Sequence, residues 1–351
     1  MSNKTTEFKI GNRSIGPEFP PFVIAEVGIN HEGDVNKALQ MVDAAVDAGS
    51  EVIKFQCHIT EQEMIPTDMT PGEISTEKLW DIIKRCELTE SEEIRVMRYC
   101  ESKGIMYLST PFSREAADRL NEMKVPAFKI GSGECNNLPL IAHIAAMGRP
   151  MIVSTGMNDL ESVKKTVATI KDAGTQVALL HCTSMYPTPY ENVRLGAISQ
   201  LIEEFPDVPI GLSDHSTNIW TCLGAVSLGA SILEKHFTVS RTWPGPDVPI
   251  SIEPPELHDL IIGSTAIWSA RGGAKTVLAG EQPVIDFAYA TVVTIKDVAA
   301  GEFFSEENLW VKRPGLGPIP ANDLMKIIGS RAKHALSKDQ HLSPDDIDKS
   351  R

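Results

Sequence analysis

The sequence predicts a (β/α)8 barrel followed by a small, separate α+β module. Three observations predict the barrel. Eight short apolar, β-rich runs follow one another between residues 22 and 239. Most are separated by stretches with helical spacing of apolar residues. Nearly every run ends on polar side chains. Parallel strands covered on both faces read as continuous apolar runs, and eight of them with their helices fill about 250 residues. A doubly wound open sheet is the rival. The count of eight favours the barrel, as do the polar ends, which in a barrel converge on one rim.

In order, the runs are FVIAEVGIN (22–30), EVIKFQC (51–57), IMYLSTPF (105–112), AFKIGSGE (127–134), MIVSTGM (151–157), VALLHCTSMYP (177–187), PIGLSDHS (209–216) and SILEKHFTV (231–239). Their polar ends supply Glu26 and Asn30, Lys54 and Gln56, Ser109 and Thr110, Lys129, Ser132 and Glu134, Ser154 and Thr155, Thr183 and Tyr186, Asp214 and His215, and Lys235 and His236. Between them, VNKALQMVDAAVDAGS places Ala38, Met41, Val42 and Ala45 on one helical face and stops at Gly49. SEEIRVMRYCESKG opens on a Ser cap and ends at Gly104, and NDLESVKKTVATIKDAG opens on Asn158 and ends at Gly174.

The pattern changes near residue 280 into short strands, turns and small helices. We expect a barrel domain over 1–280, a linker over 281–290 and a separate α+β module over 291–351. A module of ~60 residues is near the lower limit for folding alone.

The net charge of −14 over 351 residues argues against nucleic acid and anionic membrane surfaces as partners. An acidic protein can still bind a small anion by gathering a few lysines in one pocket. The polar N-terminal segment has no signal-peptide core, and no run of ~18 apolar residues occurs. The six cysteines (57, 86, 100, 135, 182 and 222) are scattered without metal-ligand spacing and read as buried, reduced thiols in a cytoplasmic protein.

The rim carries the chemistry. His215 and His236 end the seventh and eighth runs, with Asp214 and Glu234 beside them. Each could simply cap its strand; together, with carboxylates and water, they suit Mn²⁺, Fe²⁺, Co²⁺ or Zn²⁺. Lys54 and Lys129 lie inside apolar strands, where an unpaired ammonium is costly. They either pair with Glu26 and Glu134 or form an anion site with the hydroxyls of Thr110, Ser132, Ser154 and Ser213. Glu26 and Glu134 are candidate acid–base groups. GSGE at 131–134 is no dinucleotide fingerprint, because Asn136 stands where a third glycine would be. No nucleophile elbow, phosphate-binding Walker loop or persuasive Cys–His pair is present. Metal, anion site and carboxylates together suit polarising a carbonyl and adding to it.

The segments IAEVGINHEGD, VIKFQ, STPFS, FKIGSGECNN, STGMN, LLHCTSMYPTP, GLSDHS, EKHFT and GPDVPISIEP, in this order, resemble the sialic acid synthase family over almost the whole chain. VVTIKDVAAGEFFSEENLWVKRPGLGP is similar to the antifreeze-like (SAF) domain that ends those enzymes. The resemblance implies a condensation of phosphoenolpyruvate with an N-acetylated aldose, N-acetylmannosamine before others, giving N-acetylneuraminate and phosphate. It implies that His215 and His236 hold a divalent metal, Mn²⁺ ahead of Mg²⁺ or Co²⁺, with Glu134 nearby. It places phosphoenolpyruvate on Lys54, Thr110, Lys129, Ser132, Ser154 and Ser213. Ser184, where relatives have Asn, lies on the phosphate side. Glu26, Gln56, Tyr186 and Asp247 face the sugar, with further sugar contacts expected from 61–77. Phe287 walls the sugar pocket and Arg313 reaches the N-acetyl group, the latter from the other subunit of a domain-swapped homodimer. The alternative product is N,N'-diacetyllegionaminate, from 2,4-diacetamido-2,4,6-trideoxymannose. A phosphorylated sugar would need a second arginine cluster, which the rim lacks. A non-catalytic protein that binds carbohydrate or ice would have no use for the full rim set.

Overall fold

The computed structural model describes residues 7–72 and 75–348. Glu73 and Ile74, within the stretch expected to touch sugar, lie outside the described residues, as do the first six of the polar N-terminal segment. The chain forms two compact units, 1–272 and 273–351.

The first unit opens with a hairpin, β1 (Phe8–Ile10) and β2 (Arg13–Ile15), paired antiparallel. Eight strands follow: β3 (Phe22–Glu26), β4 (Val52–Cys57), β5 (Met106–Pro111), β6 (Phe128–Ile130), β7 (Met151–Ser154), β8 (Val177–Cys182), β9 (Ile210–Asp214) and β10 (Ile232–His236). They close into a barrel in chain order, β10 returning parallel to β3.

Strand residues alternate between two cores, because successive side chains leave a strand on opposite faces. Val23, Ala25, Ile53, Phe55, Phe128, Val153, Leu179, Leu212 and Leu233 point outward and pack with the helices. Phe22, Ile24, Val52, Leu108, Ala127, Ile152, Ala178, Leu180 and Ile232 point inward. Phe8, Ile10 and Ile15 join that inner core, so the hairpin stoppers the end of the barrel where the strands begin. The sequence reading missed this hairpin, whose strands are only three residues each.

The helices lie where their apolar spacing predicts. The one over Val35–Asp47 buries Val35, Ala38, Met41, Val42 and Ala45, and is capped by Asp34, whose side chain accepts from the Asn36 N–H. Two caps shift from expectation. Thr89 caps Glu90–Lys103 in a reciprocal box with Glu92, because a Glu three residues on returns the hydrogen bond, as Ser91 could not arrange. Asp159 caps Leu160–Asp172 in place of Asn158, whose side chain is committed to the Ser132 and Gly156 carbonyls.

The second unit begins with a short helix, Gln282–Ala288, inside the stretch read as linker. Beyond it β11 (Thr291–Thr294) pairs with β12 (Leu309–Lys312), and β13 (Arg331–Ala332) with β14 (Ile347–Asp348). Val292, Val298, Phe304, Leu309, Ile319, Leu324, Leu336 and Leu342 form its own core. All six cysteines are free and buried. No helix among the described residues is long and apolar enough to cross a membrane.

Candidate active site

The inward alternation continues past the apolar half of each strand and becomes polar. Ile24 is followed on the inner face by Glu26, Val52 by Lys54 and Gln56, Leu108 by Thr110, Ala127 by Lys129, Ile152 by Ser154, and Ile232 by Glu234 and His236. Parallel register sets the neighbours. Glu26 stands level with Lys54 on one side and His236 on the other, Gln56 with Thr110, and Glu234 with Ser213.

Two lysines and two glutamates form the floor. Lys54 Nζ lies 2.6 Å from Glu26 Oε2 and 3.8 Å from Glu234 Oε2, and donates to Thr110 Oγ1 at 3.0 Å. Lys129 Nζ lies 3.3 Å from Glu234 Oε1 and donates to Ser154 Oγ at 2.7 Å. Ser213 Oγ donates to Glu234 at 2.9 Å. Burial is the largest influence on each and disfavours charge. At Glu26 it prevails over the attraction of Lys54, with the charge of Glu234 adding to it, and lifts the carboxyl to about 7. At Glu234 the two lysines overcome it and hold the carboxyl below its ordinary value. Lys54, between two carboxylates, is raised. Lys129 is lowered by burial, against the pull of Glu234, and by the charge of Lys54.

The hydroxyls of Ser132 and Ser184 gather beside this floor. Ser132 Oγ accepts from the Gly156 N–H at 3.0 Å. Ser184 Oγ is buried with no partner. A Cβ on Gly156 would stand 2.4 Å from Ser184 Oγ and 2.8 Å from Ser132 Oγ, so only glycine lets the backbone come this close. Together with His215, Glu234 and both lysines they line a cavity of about 410 Å³.

On the rim, the rings of His215 and His236 are 5.5 Å apart between centroids. Tyr186 stacks on His215 at 4.1 Å and meets His236 edge-on at 6.2 Å. His215 Nδ1 donates to the Thr183 carbonyl at 2.9 Å; burial lowers this imidazole, but Cys182 and the Thr183 carbonyl prevail and raise it above its ordinary value. His236 Nδ1 is buried without a hydrogen-bond partner, and Asp247 Oδ2 stands 3.8 Å away. Burial, then the charge of His215, holds His236 well below the usual imidazole range, so the ring is neutral. The two imidazoles fit a divalent metal as ligands once His215 has given up its second proton. Among the described residues no group of three or more His, Cys, Asp and Glu side chains forms a metal cluster. An ion held here would keep positions for water or substrate oxygen, as catalytic sites do.

A second cavity of about 270 Å³ adjoins the first and shares Gln56, Phe112, Tyr186 and His236 with it. Its remaining wall is mostly apolar, with Ile29, Leu79, Ile82 and Ile83, plus Asp247 and His58. Burial raises the Asp247 carboxyl, against the N–H of Ile29.

Some expected residues lie elsewhere. Glu134 is not in either cavity; it follows β6 in a short 3-10 turn, accepts from Asn137 Nδ2 at 2.6 Å, and borders a separate surface hollow with Arg114 and His143. Gly131, Ser132 and Gly133 still line the first cavity, and the short turn then carries Glu134 into the other hollow instead of beside the imidazoles, where it was expected. Asp214 faces the outer side of the wall, where it pairs with Lys235 at 2.7 Å. Phe287 and Arg313 belong to the second unit, where both are exposed. Glu234 and His58 were not singled out as site residues. Period two reveals Glu234, two positions before His236, and His58, two after Gln56.

Residues 41–276 match the family model described as NeuB family, and residues 289–348 match the SAF domain. An uncharacterized protein of Methanocaldococcus jannaschii is 36% identical over 97% of this chain and 98% of its own. The N,N'-diacetyllegionaminic acid synthase of Campylobacter jejuni is 35% identical over 91% of this chain and 97% of its own. The crystal structure of the N-acetylneuraminic acid (sialic acid) synthetase of Leptospira borgpetersenii, in complex with citrate, aligns with a TM-score of 0.73 at 35% identity, covering 81% of this chain and 97% of that one. The chain thus belongs to the NeuB family of enzymes, whose members include sialic and legionaminic acid synthases, and it carries a SAF domain at its C-terminal end.

Proposed function

We propose that the protein condenses phosphoenolpyruvate with N-acetylmannosamine to give N-acetylneuraminate and inorganic phosphate. The observation that carries this reading is the floor of two buried lysines opening into a hydroxyl-lined cavity beneath two imidazoles. Phosphoenolpyruvate is a small dianion or trianion with a carboxylate at one end and a phosphate at the other. Lys54, Lys129 and the hydroxyls of Thr110, Ser132, Ser154, Ser184 and Ser213 supply cations and donors for both. The enol carbon attacks the aldehyde carbon of the open-chain sugar, and positive charge develops on the carbon bearing the phosphate ester. Glu234, held ionised, lies beside that charge and stabilises it. Water adds to the same carbon, and its C–O bond to phosphate breaks. Glu26, titrating near neutrality, can give its proton to the oxygen of the former aldehyde and then accept the first proton the water loses, while the second leaves on the phosphate.

His215 and His236 would hold a divalent metal, Mn²⁺ first with Mg²⁺ or Co²⁺ as substitutes, which supplies Lewis acidity toward the aldehyde oxygen. Gln56, Tyr186 and Asp247 orient the sugar. A cytoplasmic homodimer is part of the same reading, and mass measurement in solution tests the dimer.

A second reading, N,N'-diacetyllegionaminate synthesis, is favoured by one observation. The second cavity is walled largely by aliphatic and aromatic side chains, which suits a sugar with a methyl in place of a hydroxymethyl group. Among the described residues, the same wall contains no lysine or arginine to receive a sugar phosphate. The test is phosphate release by metal-stripped enzyme with Mn²⁺ restored, offered each sugar in parallel. Faster release with N-acetylmannosamine supports the first reading, and faster release with the trideoxy sugar the second. Silence with both overturns the condensation.

A further inference from the structure

We propose that His58 and Glu63 are positioning residues for this condensation and act through Gln56; the inference rests on the function proposed above. Five side chains form one continuous line. Glu63 presents Oε1 and Oε2, each 3.0 Å from His58 Nδ1. His58 Nε2 lies 2.9 Å from Gln56 Oε1. Gln56 Nε2 donates to Glu26 Oε1 at 3.1 Å, and Glu26 Oε2 meets Lys54 at 2.6 Å. The line runs from the one-turn helix Thr60–Glu63 into the floor of the barrel.

A glutamine amide has two ends of similar shape and opposite hydrogen-bonding character. With its N–H toward the Glu26 carboxylate, its oxygen needs a donor. His58 supplies it from Nε2 in its doubly protonated form, in which Nδ1 donates to the Glu63 carboxylate at the same time. His58 also stacks on Phe112, with ring centroids 4.5 Å apart and planes 10° from parallel, and only 4% of it is exposed. Ring, amide and carboxylate therefore fix one another. Gln56 borders both cavities, the charged one and the largely apolar one, and so stands where the two carbons to be joined must meet. Misplacing a reactant by about 1 Å costs on the order of 100-fold in rate. Phosphoenolpyruvate itself rests on lysines that this line reaches only at its far end.

The experiment is steady-state phosphate release by His58→Ala, Gln56→Ala, the double variant, Glu63→Ala and Glu63→Gln. We expect His58→Ala to lower kcat by roughly 10- to 100-fold, with KM for phosphoenolpyruvate changing by no more than about twofold. The double variant should be no slower than Gln56→Ala alone, because groups acting in series do not lose twice. Glu63→Ala should match His58→Ala, and Glu63→Gln should recover most of the rate, since an amide still bonds the ring nitrogen. Losses that multiply in the double variant, or equal rates for the two Glu63 variants, overturn the positioning role while leaving the condensation intact. A wild-type enzyme silent with both sugars overturns the condensation and the positioning with it. If His58→Ala fails to fold, the Glu63 pair, which keeps the His58–Phe112 stack, decides the question.

Discussion

The wall of the barrel carries buried ion pairs on both sides, and β10 supplies Glu234 to one and Lys235 to the other. Outside, Lys235 and Asp214 are 2.7 Å apart with side chains 0% and 1% exposed. Asp214 also accepts from the Ser216 N–H, Ser216 Oγ and Thr221 Oγ1, and Lys235 donates to the Ser216 carbonyl as well. The pair is saturated and closed. Inside, Glu26, Lys54, Glu234 and Lys129 are nearly as buried, yet they open onto a cavity, and unpartnered atoms such as Ser184 Oγ stand beside them. A saturated pair locks a loop to a strand. An unsaturated cluster keeps donors and charge for a ligand. The completeness of the partners distinguishes structure from function here, where burial alone would not.

The sharpest way to break this comparison is to remove one charge from each side. Lys129→Met should reduce phosphate release by about 1,000-fold or more, as loss of a cation aimed at reacting charge does, while the protein still folds cooperatively by calorimetry. Asp214→Ala should do the opposite. It strands a buried ammonium and should lower unfolding free energy by about 3–5 kcal/mol in urea titration, with kcat per folded molecule little changed. Replacing both outer partners, Asp214→Leu with Lys235→Met, should recover most of that loss, because an apolar pair of similar volume leaves no charge stranded. A smaller effect separates Glu26 from the rest. Its carboxyl is raised to about 7, so below that pH it is neutral and above it carries a negative charge. Each added negative charge opposes an anionic substrate, so affinity for phosphoenolpyruvate should weaken as pH rises through about 7. Glu26→Gln should remove that difference of up to about tenfold, read as KM against pH. An unchanged pH profile in Glu26→Gln would assign the titration elsewhere.

Much of this was legible in the sequence. The eight runs, the polar strand ends, both imidazoles and both buried lysines are visible because apolar runs and their interruptions are local properties. The face that a strand-end residue takes was also available, through the period of two, but was not used. Positions 211, 213 and 215 share a face, so Asp214 cannot join His215; positions 232, 234 and 236 share one, so Glu234 must accompany His236. Glu134 was misplaced for a different reason. β6 is only three residues long, and the turn that follows is set by the hydrogen bonds of Asn137 and Gly131 rather than by any periodic signal. The meeting of Glu63 with His58 was invisible because it depends on the chain doubling back through a single turn of helix after β4 ends.

The hairpin at the beginning of the chain has a kinetic consequence. Phe8, Ile10 and Ile15 cover the end of a barrel whose interior Phe22, Ile24, Leu108 and Ile232 already fill, so what reaches Lys54 and Lys129 comes by the opposite rim, where Tyr186 and His236 stand. A vessel with one door admits its contents in sequence. Whatever rests on the floor must arrive before the larger molecule that fills the entrance, and a product left on the floor cannot depart until the entrance clears. The hairpin of β1 and β2, far from the chemistry, would thereby help to impose an order of binding on it.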